Sequence, residues 1–330
     1  MTRIIQRLTH FEQLSKEEAK KLLIDISQGE FNANSIAVLL TVFMMRPITI
    51  DELEGFRDAL LESCIKVDFS EYETIDLCGT GGDGKHTFNI STLASLVVAG
   101  SGIMVTKHGN YGVSSISGSS NVLEQLGVKF SNEQDFLKRC LEEANICILH
   151  APLFHPAMKN VAPIRKDLGL KTFFNMLGPM INPSQPKNQL VGVFDLELMR
   201  IYGYTYQKTD KNFTIIHSLS GHDEISLTTN CKYISNDAEG IIKPSYFGIN
   251  YTKETEISGG NSEKQSAEIF LQIINGNGTQ AQNNVVCANA AAAISTIKKI
   301  PLMNAFEQAQ ESLKMGFAKE SLNKLIQSSK

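Results

Sequence analysis

Apolar positions along the chain follow two different rhythms. Over the first 65 residues they recur at helical spacing, with Leu22, Leu23 and Ile26 in one segment and Phe56, Leu60 and Leu61 in another. Each segment opens on a capping box, Ser15-Lys-Glu-Glu18 and Thr49-Ile-Asp-Glu52. There the hydroxyl, and the carboxylate three residues on, satisfy the free donors of a helix start. Between them Ser35–Met45 is apolar on almost every side, which predicts a helix buried in a helical core or against another subunit. From Glu73 the texture changes to short apolar runs, each followed by glycine and then a helical stretch. Strands are expected at Thr74–Cys78, Ile103–Thr106, Cys147–His150, Phe213–His217 and Ile225–Thr229. Intervening helices predict a largely parallel sheet covered on both faces. Such sheets take ligands at the carboxyl ends of their strands. Asn160–Pro186 carries four of the nine prolines and is expected to be a hinge or lid.

Composition narrows the class. A chain of 330 residues is long enough for about two domains. With 42% hydrophobic and 20% charged residues it is not disordered. A net charge of −4 argues against a protein that grips nucleic acid through a basic surface. Met1–Gln13 is not followed by an apolar signal region, and the longest apolar runs, Ile36–Met45 and Leu93–Val105, fall short of the about 18–20 residues of a membrane span. A soluble cytoplasmic protein with no membrane partner is expected. Cys64, Cys78, Cys140, Cys147, Cys231 and Cys287 form no C-x-x-C pair and read as core thiols of a reducing compartment. The histidines have no zinc-site spacing.

Chemistry concentrates in four segments. Leu77–Thr92 runs from the end of an apolar strand through Gly79, Gly81, Gly82 and Gly84 into a helix beginning near Asn89–Thr92. Glycines let backbone N–H groups close around an anion, and the helix aims its partially positive N-terminus at the same point. Asn89, Ser91 and Thr92 add side-chain donors. The spacing matches neither a P-loop nor a dinucleotide fingerprint, so a phosphate or diphosphate of another kind is expected. Lys107–Asn121 also follows an apolar strand and combines a cation with five serine hydroxyls and three glycines. Asp223 and Glu224 lie beyond the Phe213–His217 strand and suit Mg²⁺ if a diphosphate is near. In the fourth segment His155, Met158, Ala162 and Arg165 share one face at helical spacing, with a bend expected at Pro163. A guanidinium there could take a small aromatic acid by its carboxylate in a two-bond fork.

At these residues the chain resembles the anthranilate phosphoribosyltransferases of tryptophan biosynthesis. The resemblance rests on Gly-Thr-Gly-Gly-Asp (79–83), Asn-Ile-Ser-Thr (89–92), Lys-His-Gly-Asn (107–110), Ser-Gly-Ser-Ser (117–120) and Pro-Ile-Arg (163–165). It continues through Phe174–Pro183, Asp223-Glu224 and Asn-Ala-Ala (289–291), in order along nearly the whole chain. It implies a small all-helical domain, residues 1–68 joined by helices from about 155–185, and a larger α/β domain, residues 69–330, with a mostly parallel central sheet. It also implies a homodimer formed through the helices. The implied reaction moves the phosphoribosyl group of 5-phosphoribosyl 1-diphosphate to the amino group of anthranilate, with Mg²⁺ as cofactor. Carried over by position, Gly79, Gly82, Asp83, Thr87, Asn89, Ile90, Ser91, Thr92, Lys107, Ser115 and Ser119 would bind the donor. Ser91, Asp223 and Glu224 would hold the metal. Gly79, Asn110, Arg165, His108, His155, Gly178 and Pro179 would line the anthranilate side. No residue stands out as a general base; positioning and electrostatics carry the expected mechanism, with Lys107 and His108 the candidates for a catalytic part.

Two positions depart from the family pattern: Tyr111-Gly112 stands where Arg-Ala is common, and His222 where leucine is usual. The rival readings are a pyrimidine nucleoside phosphorylase and a non-catalytic relative that binds nucleic acid. The first lacks its Gly-His-Thr-Gly-Gly-Thr-like element here, and the second is at odds with the net charge of −4.

Overall fold

The computed structural model describes residues 1–112 and 116–330. Its N-terminal part is helical: α1 (Thr2–Thr9), α2 (Lys16–Ser27), α3 (Ala33–Met45) and α4 (Ile50–Ser63). Both capping boxes form. Ser15 Oγ accepts from the Glu18 amide at 3.2 Å while the Glu18 carboxylate accepts from the Ser15 amide at 3.0 Å, and Thr49 and Glu52 repeat the exchange. Buried Glu52 also takes a fork from Arg46 at 2.5 and 3.0 Å and the Leu14 amide at 2.9 Å, so its charge is paired. α3 is not covered all round: Ile36, Leu39, Leu40 and Phe43 are buried, but Val38, Met44 and Met45 are 48%, 40% and 77% exposed.

A seven-stranded sheet follows, built from β1 (Thr74–Gly79), β2 (Met104–Gly109), β3 (Ile146–His150), β4 (Asn188–Gly192), β5 (Asn212–Ser218), β6 (Cys231–Ser235) and β7 (Glu239–Ile242). Its order is β3-β2-β1-β4-β5-β6-β7; β3 through β5 pair in parallel, and β6 and β7 add an antiparallel edge. The strand expected at Ile225–Thr229 is absent. Its alternation of apolar and hydroxyl residues belongs to a turn, in which Leu227 takes a positive φ of 57° and Ser226 and Thr228 bond to each other and to Ser220. The expected bend of one helix at Pro163 is also absent. The chain forms a short 3₁₀ turn at Pro156–Met158 and a separate helix, Ala162–Leu168, that Pro163 helps to open, so His155, Met158, Ala162 and Arg165 do not share one helical face.

One core packs α5 (Ile90–Gly100) and the helix Gln280–Lys298 around Ile75, Leu77, Val105 and Ile148. The other joins the N-terminal helices to Val161, Phe173, Phe174 and Leu177, and also to Val191, Tyr202, Phe213 and Ile215 of the sheet and its covering helix. The Asn160–Pro186 segment is therefore anchored from both sides. Met176 O accepts from the Tyr202 hydroxyl, and Pro179 O from the Gln189 amide. Among the described residues no helix is long and apolar enough to cross a membrane.

Candidate active site

β1 leads through α5 to β2 on one side, while β4 lies on its other side, so the connections diverge between β1 and β4. Ligands of open α/β sheets settle at the carboxyl end of such a divergence. There Gly79 and Gly192 are register partners. A Cβ on Gly79 would lie 2.3 Å from Asp223 Oδ2, and one on Gly192 would lie 1.6 Å from the Asp223 carbonyl oxygen. The two glycines open the slot into which the Asp223 turn fits, and Gly81 N–H donates to Asp223 Oδ2 at 2.7 Å. Asn289 holds the same turn from behind, accepting from Ile225 N–H and donating to Ile225 O, each at 2.9 Å.

Gly81, Gly82 and Gly84 all take positive φ, as an anion-cradling loop requires. The loop ends on Thr87, bridged to Ser258, and on α5, whose N-cap Asn89 makes no side-chain cap bond. The N-terminal pole of α5, with Ile90, Ser91 and Thr92, faces the carboxylates, and the Ser91 backbone N–H donates to Glu224. Asn89 spends its amide on Ser117 O at 3.0 Å and so ties this loop to the serine segment. There α6 (Ser119–Gln125) begins, and Ser119 Oγ exchanges bonds with the Asn110 backbone at 3.2 Å. Ser115 lies outside the described residues. Tyr111 is anchored: its hydroxyl donates to Glu124 at 2.9 Å and its ring meets His150 edge-on at 4.8 Å.

Asp83, Asp223 and Glu224 bring one oxygen each within 4.8 Å of one another. Burial, and then the neighbouring carboxylates, raise Asp223 and Glu224 above the ordinary carboxylate range. An all-oxygen set whose charges repel is the donor chemistry a hard divalent cation relieves, so these residues fit Mg²⁺. Asp83, read from the sequence as a donor contact, joins this group. Lys107 is 2% exposed, its ammonium donating to Leu77 O at 2.7 Å beneath the loop. Beside it lies Asp76, fully buried and raised to about 6 by burial, which accepts from His108 N–H at 3.1 Å and Asn182 at 3.0 Å.

Arg165, Gly178 and Pro179 lie on the Asn160–Pro186 segment, which meets His108 of β2 and His155. His108 Nδ1 sits 3.0 Å from Gly178 O, and the His108 and His155 rings meet edge-on at 5.4 Å. Desolvation holds His108 down to about 3 and His155 to about 4, so both rings are neutral, and His108 Nε2 is buried with no partner among the described residues. Arg165 Nη2 reaches Asn175 Oδ1 at 3.3 Å, the guanidinium lies 5.3 Å from the Phe174 ring, and burial lowers its pKa to about 10. Its Nε is buried without a partner among the described residues. Asn175 in turn lies 3.5 Å from the point a Gly82 Cβ would occupy. Asp223, the glycine loop, Asn175 and Arg165 therefore follow one another as near neighbours. Gly192, Asp76, Asn175 and Asn182 were not singled out by sequence reasoning. Gly192 does end a short apolar run, Leu190-Val191, with the texture of the expected strands.

A glycine loop, a carboxylate trio and a guanidinium with no carboxylate partner among the described residues thus lie along one end of the sheet, the arrangement of a transferase-like α/β fold. Comparison with known proteins agrees. Residues 71–319 match the glycosyl transferase family a/b domain, and residues 2–64 its helical bundle domain. An anthranilate phosphoribosyltransferase of Flavobacterium psychrophilum is 63% identical over 99% of both chains, and one of Flavobacterium johnsoniae 64% over 98% of both. The crystal structure of the Thermus thermophilus anthranilate phosphoribosyltransferase superposes with a TM-score of 0.90 at 28% identity, covering 98% of each chain. The Saccharomyces cerevisiae enzyme, solved with PRPP and Mg, shares the fold at 24% identity and a TM-score of 0.89, over 98% of this chain and 96% of that one. The chain belongs to the glycosyl transferase family with these two domains, and within it to the anthranilate phosphoribosyltransferase family.

Proposed function

We propose that this chain transfers the phosphoribosyl group of 5-phosphoribosyl 1-diphosphate to the amino group of anthranilate and releases diphosphate. The supporting observation is the adjacency of Asp223, Gly81, Gly82, Asn175 and Arg165. It sets an anion cradle at one end and a cation suited to a carboxylate at the other.

The reaction breaks the bond from ribose C1 to a diphosphate oxygen, which keeps the electron pair, and forms one from C1 to the anthranilate nitrogen, whose proton passes to the departing diphosphate. Positive charge grows on the sugar and negative charge on the leaving group, so fixed donors aimed at the diphosphate favour the transition state. Gly79, Gly82, Asp83, Thr87, Asn89, Ile90, Ser91, Thr92 and Ser119, with Ser115, supply the donor's contacts in this reading. Lys107 adds positive charge from beneath the loop. Asp223 and Glu224, with Ser91 and Asp83 beside them, would hold Mg²⁺, which when bound supplies positive charge to the diphosphate oxygens. Arg165 takes the anthranilate carboxylate, and Asn110, His155, Gly178 and Pro179 shape its place. An arylamine nitrogen is neutral and needs no base to free its lone pair before attack. Two histidines held neutral by burial suit this, since they position the acceptor and do not compete for its proton early.

The helical domain, residues 1–68 with helices from about 155–185, forms the homodimer face in this reading, and residues 69–330 form the α/β domain. The exposed stripe of Val38, Met44 and Met45 supports the dimer. The six unpaired cysteines suit the cytoplasm.

The test is loss of anthranilate fluorescence on adding anthranilate, phosphoribosyl diphosphate and Mg²⁺. Arg165→Ala should raise the KM for anthranilate about tenfold or more while the donor KM holds. Absence of turnover together with tight oligonucleotide binding overturns the reading, and an unchanged anthranilate KM overturns the role of Arg165.

A further inference from the structure

Three cations border the glycine loop, and they are held differently. Lys85 is engaged by Glu254 at 2.9 Å. Lys107 is buried and bonded to Leu77 O. Lys171 comes from the Asn160–Pro186 segment, is exposed, and crosses to the loop, its Cε 3.0 Å from where a Gly82 Cβ would stand. Its ammonium rests over the Phe194 ring at 3.6 Å from the centroid, with no carboxylate partner among the described residues. A ring face holds an ammonium without neutralising it or using up its donors. Phe194 lies just beyond β4, two residues after the Gly192 that packs on Asp223. The charge is thus parked beside the cradle and remains available to an anion.

We propose that Lys171 is a donor-binding residue: its ammonium leaves the Phe194 face to contact diphosphate oxygens of the donor seated on Gly79–Gly84. The inference rests on the function proposed above. It adds a residue from the acceptor-bearing segment to the donor's grip, so that one short stretch, Arg165 to Asn175, touches both substrates.

The experiment compares the unsubstituted chain with Lys171→Met, which keeps the stem, and Lys171→Arg, which keeps the charge. Steady-state kinetics with each substrate varied are paired with calorimetric binding of inorganic diphosphate in Mg²⁺. Lys171→Met should raise the donor KM and the diphosphate Kd about tenfold, as loss of a charged hydrogen bond does, and leave the anthranilate KM unchanged. Lys171→Arg should recover most of the loss. A donor KM and diphosphate Kd within about twofold of the unsubstituted values, or a loss falling on anthranilate, overturns the assignment. No turnover by the unsubstituted chain instead overturns the reading on which it rests.

Discussion

Residue chemistry at the site divides into what local sequence dictates and what only burial creates. The glycines at 79, 81, 82 and 84 were legible because a cluster of residues free to take positive φ after a strand has few other uses. Gly192 and Asp76 were not, because each answers to a partner far off in the chain: Asp223 against Gly192, Asn182 and His108 against Asp76. The neutrality of His155 is likewise a product of burial, since nothing beside it in sequence lowers its pKa. This has a measurable consequence. The unfolded imidazole takes up a proton near pH 6.5, the folded one only near about 4. Between these values the unfolded chain binds more protons, so the His155 contribution is complete above pH 6.5 and is lost as pH falls toward 4. His155→Phe removes that slope. From urea midpoints, the unsubstituted chain should lose about 2 kcal/mol more than the variant between pH 7.5 and pH 5. Equal losses in the two chains would show that His155 is not a buried neutral ring.

Elements were readable where their boundaries carry a local signature. Ser15 and Thr49 announce α2 and α4 by capping, and the structure forms both boxes. β4 escaped because it begins with two polar residues that are nonetheless buried: Asn188 donates to Thr74 O at 3.1 Å, and Gln189 bonds to Pro179 O. Conversely, Ile225–Thr229 alternates like a strand although its hydroxyls close a turn on the end of β5. That turn carries Asp223 and Glu224, and the helix Gln280–Lys298 clasps it through Asn289. Asn289→Ala leaves the Ile225 N–H and C=O buried and unpaired, a cost of about 3 kcal/mol. Since the carboxylates sit on the released turn, the Mg²⁺ concentration for half-maximal activity should rise about tenfold. A lowered melting temperature with an unmoved Mg²⁺ midpoint would make Asn289 a stabilising residue with no part in placing the turn.

At the scale of the whole molecule, a net charge of −4 is compatible with the proposed anion site, because such a cradle works through backbone N–H groups, a helix pole and a few placed cations. The division of the cores was less legible: the N-terminal helices share theirs with Val191, Phe213 and Ile215 of the sheet, which no local pattern announces. One face of this helical layer stays uncovered. Along α3 the exposed positions Asn34, Val38, Thr41 and Met45 recur at offsets of four, three and four, a stripe along one side of a helix whose other side is core. Single exposed apolar residues are ordinary, but Val38 and Met45 on one stripe with Met44 adjoining suit a face that meets a second copy about a two-fold axis. Sedimentation velocity should therefore give the unsubstituted chain twice the single-chain mass. Val38→Glu with Met45→Glu places like charges against each other across that axis and should give single chains. The glycine loop, carboxylates and Arg165 make their contacts within one chain, so the separated chains should keep kcat/KM within about threefold. A single-chain mass before substitution, or a doubled mass after it, would remove α3 as the dimer face.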